Sequence, residues 1–226
     1  MNRRNILIGL GVVGAGAAVG GAWWLKAAPQ PQQAASGAEA MTLAAAEGGE
    51  PIFADDHILG DAAAPVTIIE YASLTCGHCA NFHTDTLTDV KANWIDSGRA
   101  RLVYRHYPLD QLALRAAALS NCVEGDNFFG FVDVLFKNQE KWAFSQDPLM
   151  TLQQYAALAG IGAEDFEKCI TDDAAINRIL EMQTHGRDRY SVGSTPSFVV
   201  NGRLAVGSMT YGEFNDVLEQ AAAKAS

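Results

Sequence analysis

Val66-Thr67-Ile68-Ile69-Glu70-Tyr71-Ala72-Ser73-Leu74-Thr75-Cys76-Gly77-His78-Cys79 passes from a β-branched stretch directly into two cysteines with two residues between them. Residues 66–72 follow Pro65 and are rich in Val, Ile and Thr, so they are expected to form a buried strand. A helix is expected to begin at the Cys76 region. Its apolar positions, Cys79, Phe82, Leu87, Val90 and Trp94, fall near helical spacing, and Gly98 stops it. The C-x-x-C therefore follows a strand and opens a helix.

Working outward, Arg101 to Tyr107 forms a second expected strand, ended by Pro108. From about 110 to 190 the pattern is helical throughout. The expected helices run from Leu112 to Val123, Phe128 to Asn138, Leu149 to Ala159, Ala163 to Thr171 and Ala174 to Tyr190. Gly125, Pro148, Gly160 and Gly162 mark breaks between them. Ser197 to Val200 and Arg203 to Val206 read as a hairpin around Asn201-Gly202, the pair that suits a type I′ turn. Tyr211 to Lys224 is a closing amphipathic helix. The order is strand, helix, strand, a block of helices, hairpin, helix, which is an α/β chain interrupted by a helical block.

The first 50 residues do not share this character. Arg3 and Arg4 precede a run from Ile6 to Leu25 that holds no charge. That is the pattern of an export signal, and its 20 residues also reach the length of a membrane span. Residues 1–26 are expected to be a signal peptide or a membrane anchor. Arg3-Arg4 also fits a twin-arginine signal, and Ala38-Glu39-Ala40 has the form of a cleavage site, though distant from the apolar run. Residues 27–50, rich in Ala, Gln, Pro and Gly, are an expected linker. Residues 51–226 remain as one domain, long enough for a proper core. Either reading of the N-terminus places that domain outside the cytoplasm.

The net charge of the chain is −10. The first 26 residues carry three basic groups (Arg3, Arg4, Lys26) and no acidic one, so removing them leaves −13 on the remainder. An acidic body with no basic stripe excludes nucleic acid and charge-driven docking on anionic lipid.

A thiolate is the attacking species in disulfide exchange, and a helix N-terminus favours one through its free amides and dipole. His78, between the cysteines, can add positive charge or a hydrogen bond. Together these are expected to lower the pKa of Cys76 and make its disulfide a good oxidant. The competing reading of C-x-x-C is zinc, which needs four ligands. Cys122 and Cys169 are single and distant, and His83 would supply only a third ligand. Haem attachment needs C-x-x-C-H, and Ala80 stands in that place. No metal and no cofactor is expected. Glu70 is the one acid on an apolar strand. By itself that reads as a carboxylate at the strand's solvent edge. His57, His106 and His185 have no evident partners. Phe128, Phe129, Phe131, Phe136 and Trp142 are expected to be the core of the helical block.

Glu70 to Cys79, Tyr104-Arg105-His106-Tyr107-Pro108-Leu109 and Gly193-Ser194-Thr195-Pro196-Ser197-Phe198 together resemble the DsbA family of bacterial periplasmic disulfide oxidoreductases. The resemblance covers about residues 52–222. It implies a thioredoxin fold with an inserted helical domain. It also implies a catalyst that passes a disulfide from Cys76–Cys79 to reduced exported proteins, as a monomer, and is reoxidised by a membrane partner of the DsbB type. Cys76 would be the attacked cysteine and Cys79 the buried resolving one. Glu70 would be a buried acid that handles the proton of Cys79. Pro196 would be a cis-proline facing the disulfide and leaving the backbone of Thr195 free to pair with substrate. Gly77-His78 departs from the Pro-His pair commoner in DsbA and is similar to protein disulfide isomerase. An isomerase or reductase on the same fold is therefore the alternative, and a C-x-x-C module without turnover a more distant one.

Cys122 and Cys169 each lie among apolar residues in the helical block. In an oxidising compartment they are expected to form a structural disulfide, as some DsbA-like proteins carry a pair within the insert. The alternative is two separate buried thiols.

Overall fold

In the computed structural model of the protein, residues 50–123 and 127–225 are described. The expected signal or anchor, and the linker up to residue 49, lie outside the described residues.

β2 (Val66–Ala72) is buried at all seven positions. A strand covered on both faces needs no polar alternation, which is why its sequence shows none. It pairs in parallel with β3 (Ala100–His106) on one side and antiparallel with β4 (Ser197–Val200) on the other. β5 (Arg203–Val206) continues from β4 through a turn with φ of 43° at Asn201 and 81° at Gly202, the left-handed pair that a type I′ turn requires. A further strand, β1 (His57–Leu59), lies antiparallel along β3. It was not anticipated, because three residues are too few to show a period. The sheet order is β1-β3-β2-β4-β5.

After β2 the chain turns into one helical run. α1 (Gly77–Asn81) and α2 (Leu87–Val90) alternate with wider π-helical turns at Phe82–Thr86 and Lys91–Ile95. Gly98, with φ of 73°, releases it into β3. The inserted block comprises α3 (Gln111–Asn121), α4 (Asn127–Lys137), α5 (Gln139–Ala143), α6 (Pro148–Leu158), α7 (Ala163–Ile170) and α8 (Asp173–Tyr190). The short α5 was not foreseen; five residues carry too little periodicity. Asp110, Asp147 and Asp172 cap α3, α6 and α8, accepting from Ala113 N, Met150 N and Ala174 N. Such caps contribute about 1 kcal/mol each. α9 (Tyr211–Ala225) closes the chain.

Two large clusters form the core. Val66, Ile68, Phe82, Trp94, Phe198 and Phe214 pack α9 and the first helical run against the sheet. Tyr104, Phe128, Phe131, Phe136, Trp142 and Phe166 build the interior of the block, and that cluster extends to Cys76 and Cys79. The block also closes on itself covalently: Cys122, at the end of α3, is bonded to Cys169 of α7, with Cα atoms 6.1 Å apart. At Gly186 of α8 a Cβ would lie 2.5 Å from the Tyr71 ring, so only glycine lets α8 settle on β2.

Candidate active site

Cys76 is the residue that precedes α1, in extended conformation, and the first turn of the helix follows it. Its carbonyl accepts from the amides of Cys79 and Ala80, both at 3.1 Å. The loop is held from the other side by the inserted block. Gln139 of α5, itself buried, donates through Nε2 to the carbonyls of Leu74 (2.8 Å) and Cys76 (3.1 Å). The Cys76 sulfur lies 3.4 Å from the carbonyl oxygen of Thr195. Thr195 and Pro196, joined by a cis peptide bond, lead into β4. Residues 119 positions apart in the chain thus meet at one sulfur.

The two thiols differ in kind. A hydrogen bond from the Cys79 thiol pulls the Cys76 pKa down to about 5 against the opposing effect of burial, aided by Thr195 and the amides of Cys79 and His78. Cys79 is fully buried, and burial drives its pKa far up; the Cys76 sulfur and Glu70 add to that. At neutral pH Cys76 is the thiolate and Cys79 the thiol. The imidazole of His78 is not among the largest of these influences. The residue is exposed and acts on the sulfur through its backbone N–H.

Glu70 is fully buried on β2, in register with Tyr104 on β3 and Phe198 on β4. The solvent-edge reading of Glu70 is therefore wrong. Its carboxylate oxygens lie 3.1 and 3.2 Å from Nε2 of His83, whose Nδ1 lies 3.2 Å from Oδ1 of Asp133 on α4. Burial alone would push the His83 pKa down, but Glu70 and Asp133 outweigh it and hold it up at about 9. His83 is therefore an imidazolium at neutral pH, donating to both carboxylates. The Tyr104 hydroxyl is buried without a hydrogen-bond partner. Burial, with the nearby charges of Glu70 and both sulfurs, keeps it protonated.

His83 is the residue that sequence reasoning missed. In the sequence it offers only a third zinc ligand beside Cys76 and Cys79. The available signal was its position four residues after Cys79, one helical turn below and so facing the same interior as Glu70. Of the other histidines, His57 and His106 find hydrogen-bond partners, whereas the buried Nδ1 of His185 has none among the described residues and its ring packs edge-on to Phe53 and Tyr190. His57 lies 3.1 Å from Asn121 and stacks on Phe128 with centroids 3.4 Å apart; His106 lies 3.0 Å from Ser120. Burial holds the His106 pKa at about 3, so it is a neutral core residue.

The family model described as Thioredoxin matches residues 54–220. Among solved structures, alpha-DsbA1 of Wolbachia pipientis is 31% identical, with a TM-score of 0.71 over 76% of this chain and 94% of that one. Oxidised BdbD of Bacillus subtilis is 22% identical, with a TM-score of 0.67 over 77% and 97%, a likeness of fold. A Rickettsia bellii protein named as a protein-disulfide oxidoreductase is 31% identical over 150 residues, which are 66% of this chain and 58% of that protein. The chain thus spans little more than half the length of the curated relatives it matches. With the family model running through β1 to α9 and a DsbA structure matched over nearly its whole length, this chain belongs to the DsbA-like thiol:disulfide oxidoreductases of the thioredoxin family.

Proposed function

We propose that the protein is an oxidase that introduces disulfides into exported proteins through Cys76 and Cys79. The observation that carries this reading is the ionisation of Cys76, held at about 5 at the start of α1. In the oxidised form, a substrate thiolate attacks the Cys76 sulfur and the Cys76–Cys79 bond breaks. The electron pair goes to Cys79, which takes up a proton. A second substrate thiolate then attacks the substrate sulfur of the mixed disulfide and expels Cys76 as a thiolate. Because that thiolate is stable at neutral pH, it is a good leaving group and the reduced enzyme is favoured. At pH 7 a Cys76 thiolate with a pKa of about 5 favours the reduced form by roughly 3 kcal/mol, or about 60 mV for two electrons.

Thr195 and Pro196 border the sulfur and offer backbone to an extended substrate segment. The reduced enzyme is returned to the disulfide by a membrane redox partner of the DsbB type. The working compartment is the periplasm, reached through the export or anchor pattern of residues 1–26. The bonded Cys122–Cys169 pair suits an oxidising compartment.

Equilibration of Cys76–Cys79 with a glutathione buffer tests the direction of the chemistry. The expected reduction potential lies well above the roughly −270 mV of thioredoxin. A value at or below it replaces the oxidase with a reductase or isomerase fed by a membrane donor.

A further inference from the structure

Beneath the reactive sulfurs lies a charged chain with no task in the exchange steps above. It is built from three elements: Glu70 on β2, His83 in the widened turn Phe82–Thr86, and Asp133 on α4. Glu70 and His83 have side chains 0% and 1% exposed, whereas that of Asp133 is 40% exposed. Among the described residues, the hydrogen bonds of the Glu70 carboxylate go to His83, and those of the His83 ring to Glu70 and Asp133. Phe136 stacks on the ring at 4.2 Å, and Phe82 and Tyr104 stand edge-on to it at 5.9 and 6.0 Å. Aromatic side chains thus wall the ring, and its polar atoms open only toward the two carboxylates. At one end the charge of Glu70 acts on the buried Cys79, and at the other Asp133 meets water.

We propose that His83 and Asp133 are the exit for the proton that Cys79 loses when it attacks a mixed disulfide at Cys76, with Glu70 as its first acceptor. The inference rests on the exchange chemistry proposed above. The resting site holds Cys79 as a thiol, Glu70 as a carboxylate and His83 as an imidazolium. The Cys79 proton passes to Glu70 as the Cys79 sulfur bonds to Cys76 and the partner thiolate leaves. Glu70, now neutral, no longer stabilises the imidazolium. His83 then gives its Nδ1 proton to Asp133, which releases it to solvent, and keeps its Nε2 proton. One proton enters the chain from inside and one leaves outside. The buried groups pass from a carboxylate–imidazolium pair to a neutral acid and a neutral ring. At no stage is an unpaired charge left in the interior, where it would be costly. The return step, when Cys79 is expelled, runs the same transfers backwards.

The test uses the full-length reduced protein and oxidised glutathione, followed by acid quenching and mass measurement. Formation of the glutathione adduct needs only the Cys76 thiolate. Its resolution needs Cys79 to lose a proton. Asp133 is the safer position to change, being half-exposed. We expect Asp133→Asn to leave adduct formation within about twofold and slow resolution roughly tenfold or more, as for a lost general acid–base partner. Asp133→Glu should recover most of the loss, and formate should accelerate Asp133→Ala in proportion to its concentration. His83→Gln should slow the same step and change its pH profile. The titrating groups that face this ring are Glu70 from β2, Asp133 with Lys137 behind it from α4, Tyr104 from β3 and Cys79 from its own helical run. Resolution unchanged in Asp133→Asn, or both steps slowed alike with no response to formate, overturns the exit. Failure of the unaltered protein to form any adduct overturns the functional reading, and the exit with it.

Discussion

The molecule holds two cysteine pairs, and they are opposites. Cys76 and Cys79 stand three positions apart at a helix start, among backbone amides, Thr195 and the charge of Glu70. Cys122 and Cys169 stand 47 positions apart and tie the end of α3 to α7 among Leu119, Phe166 and Ile170. The first pair is present as thiols and the second as a bond. Both lie in the same apolar cluster, so burial alone does not separate a reactive sulfur from an inert one. What differs is the supply of hydrogen-bond donors to a thiolate. Cys76 has several, while the bridge among hydrocarbon ties down a block of short helices.

The sharpest way to break the comparison is to remove the reactive sulfur. Cys76→Ser should reduce thiol–disulfide exchange by roughly a thousandfold, since a hydroxyl does not replace a thiolate nucleophile. In the unaltered reduced protein, iodoacetamide should label Cys76 with a pH midpoint near 5 while Cys79 stays unlabelled at neutral pH. Exchange persisting in Cys76→Ser would assign the chemistry to the other pair.

Removing the structural pair should cost about 4 kcal/mol, the loop-closure entropy of a bridge of this span, seen as a lower midpoint in urea. The labelling midpoint of Cys76 should not move in Cys122→Ala/Cys169→Ala. A shift there would mean that the bridge shapes the active site as well as the insert.

A third difference lies beneath the pairs, because only the reactive one sits over a buried ion pair. The pKa of His83 is raised in the folded state from an ordinary 6.5 to about 9. The stability it contributes is therefore complete below pH 6.5 and lost as pH rises through 9. Roughly 3 kcal/mol should disappear across that window, measured by urea unfolding, and His83→Gln should flatten the slope. The variant lacking Cys122 and Cys169 should keep the slope, since His83 contacts neither residue.

The smallest effect is expected at His78. Its imidazole is exposed and its backbone N–H does the work, so His78→Ala should move the Cys76 midpoint by less than about one unit. A larger shift would restore the imidazole to the account of why Cys76 ionises.

What the sequence determined by itself was local. The run from Val66 to Cys79 announced strand, cysteine pair and helix, because strand period and helix capping are written within a few residues. Asn201-Gly202 announced its turn for the same reason, since few residues accept positive φ. Three-residue β1 and five-residue α5 escaped, being shorter than any period that could mark them. The remainder belongs to the tertiary structure alone. Thr195 reaches Cys76 across 119 positions, Gln139 holds its loop across 63, and Asp133 meets His83 across 50. The acidity of Cys76 and the charge on His83 come from groups that only folding gathers. Desolvation and hydrogen bonding depend on distance in space, and no pattern along the chain encodes that distance.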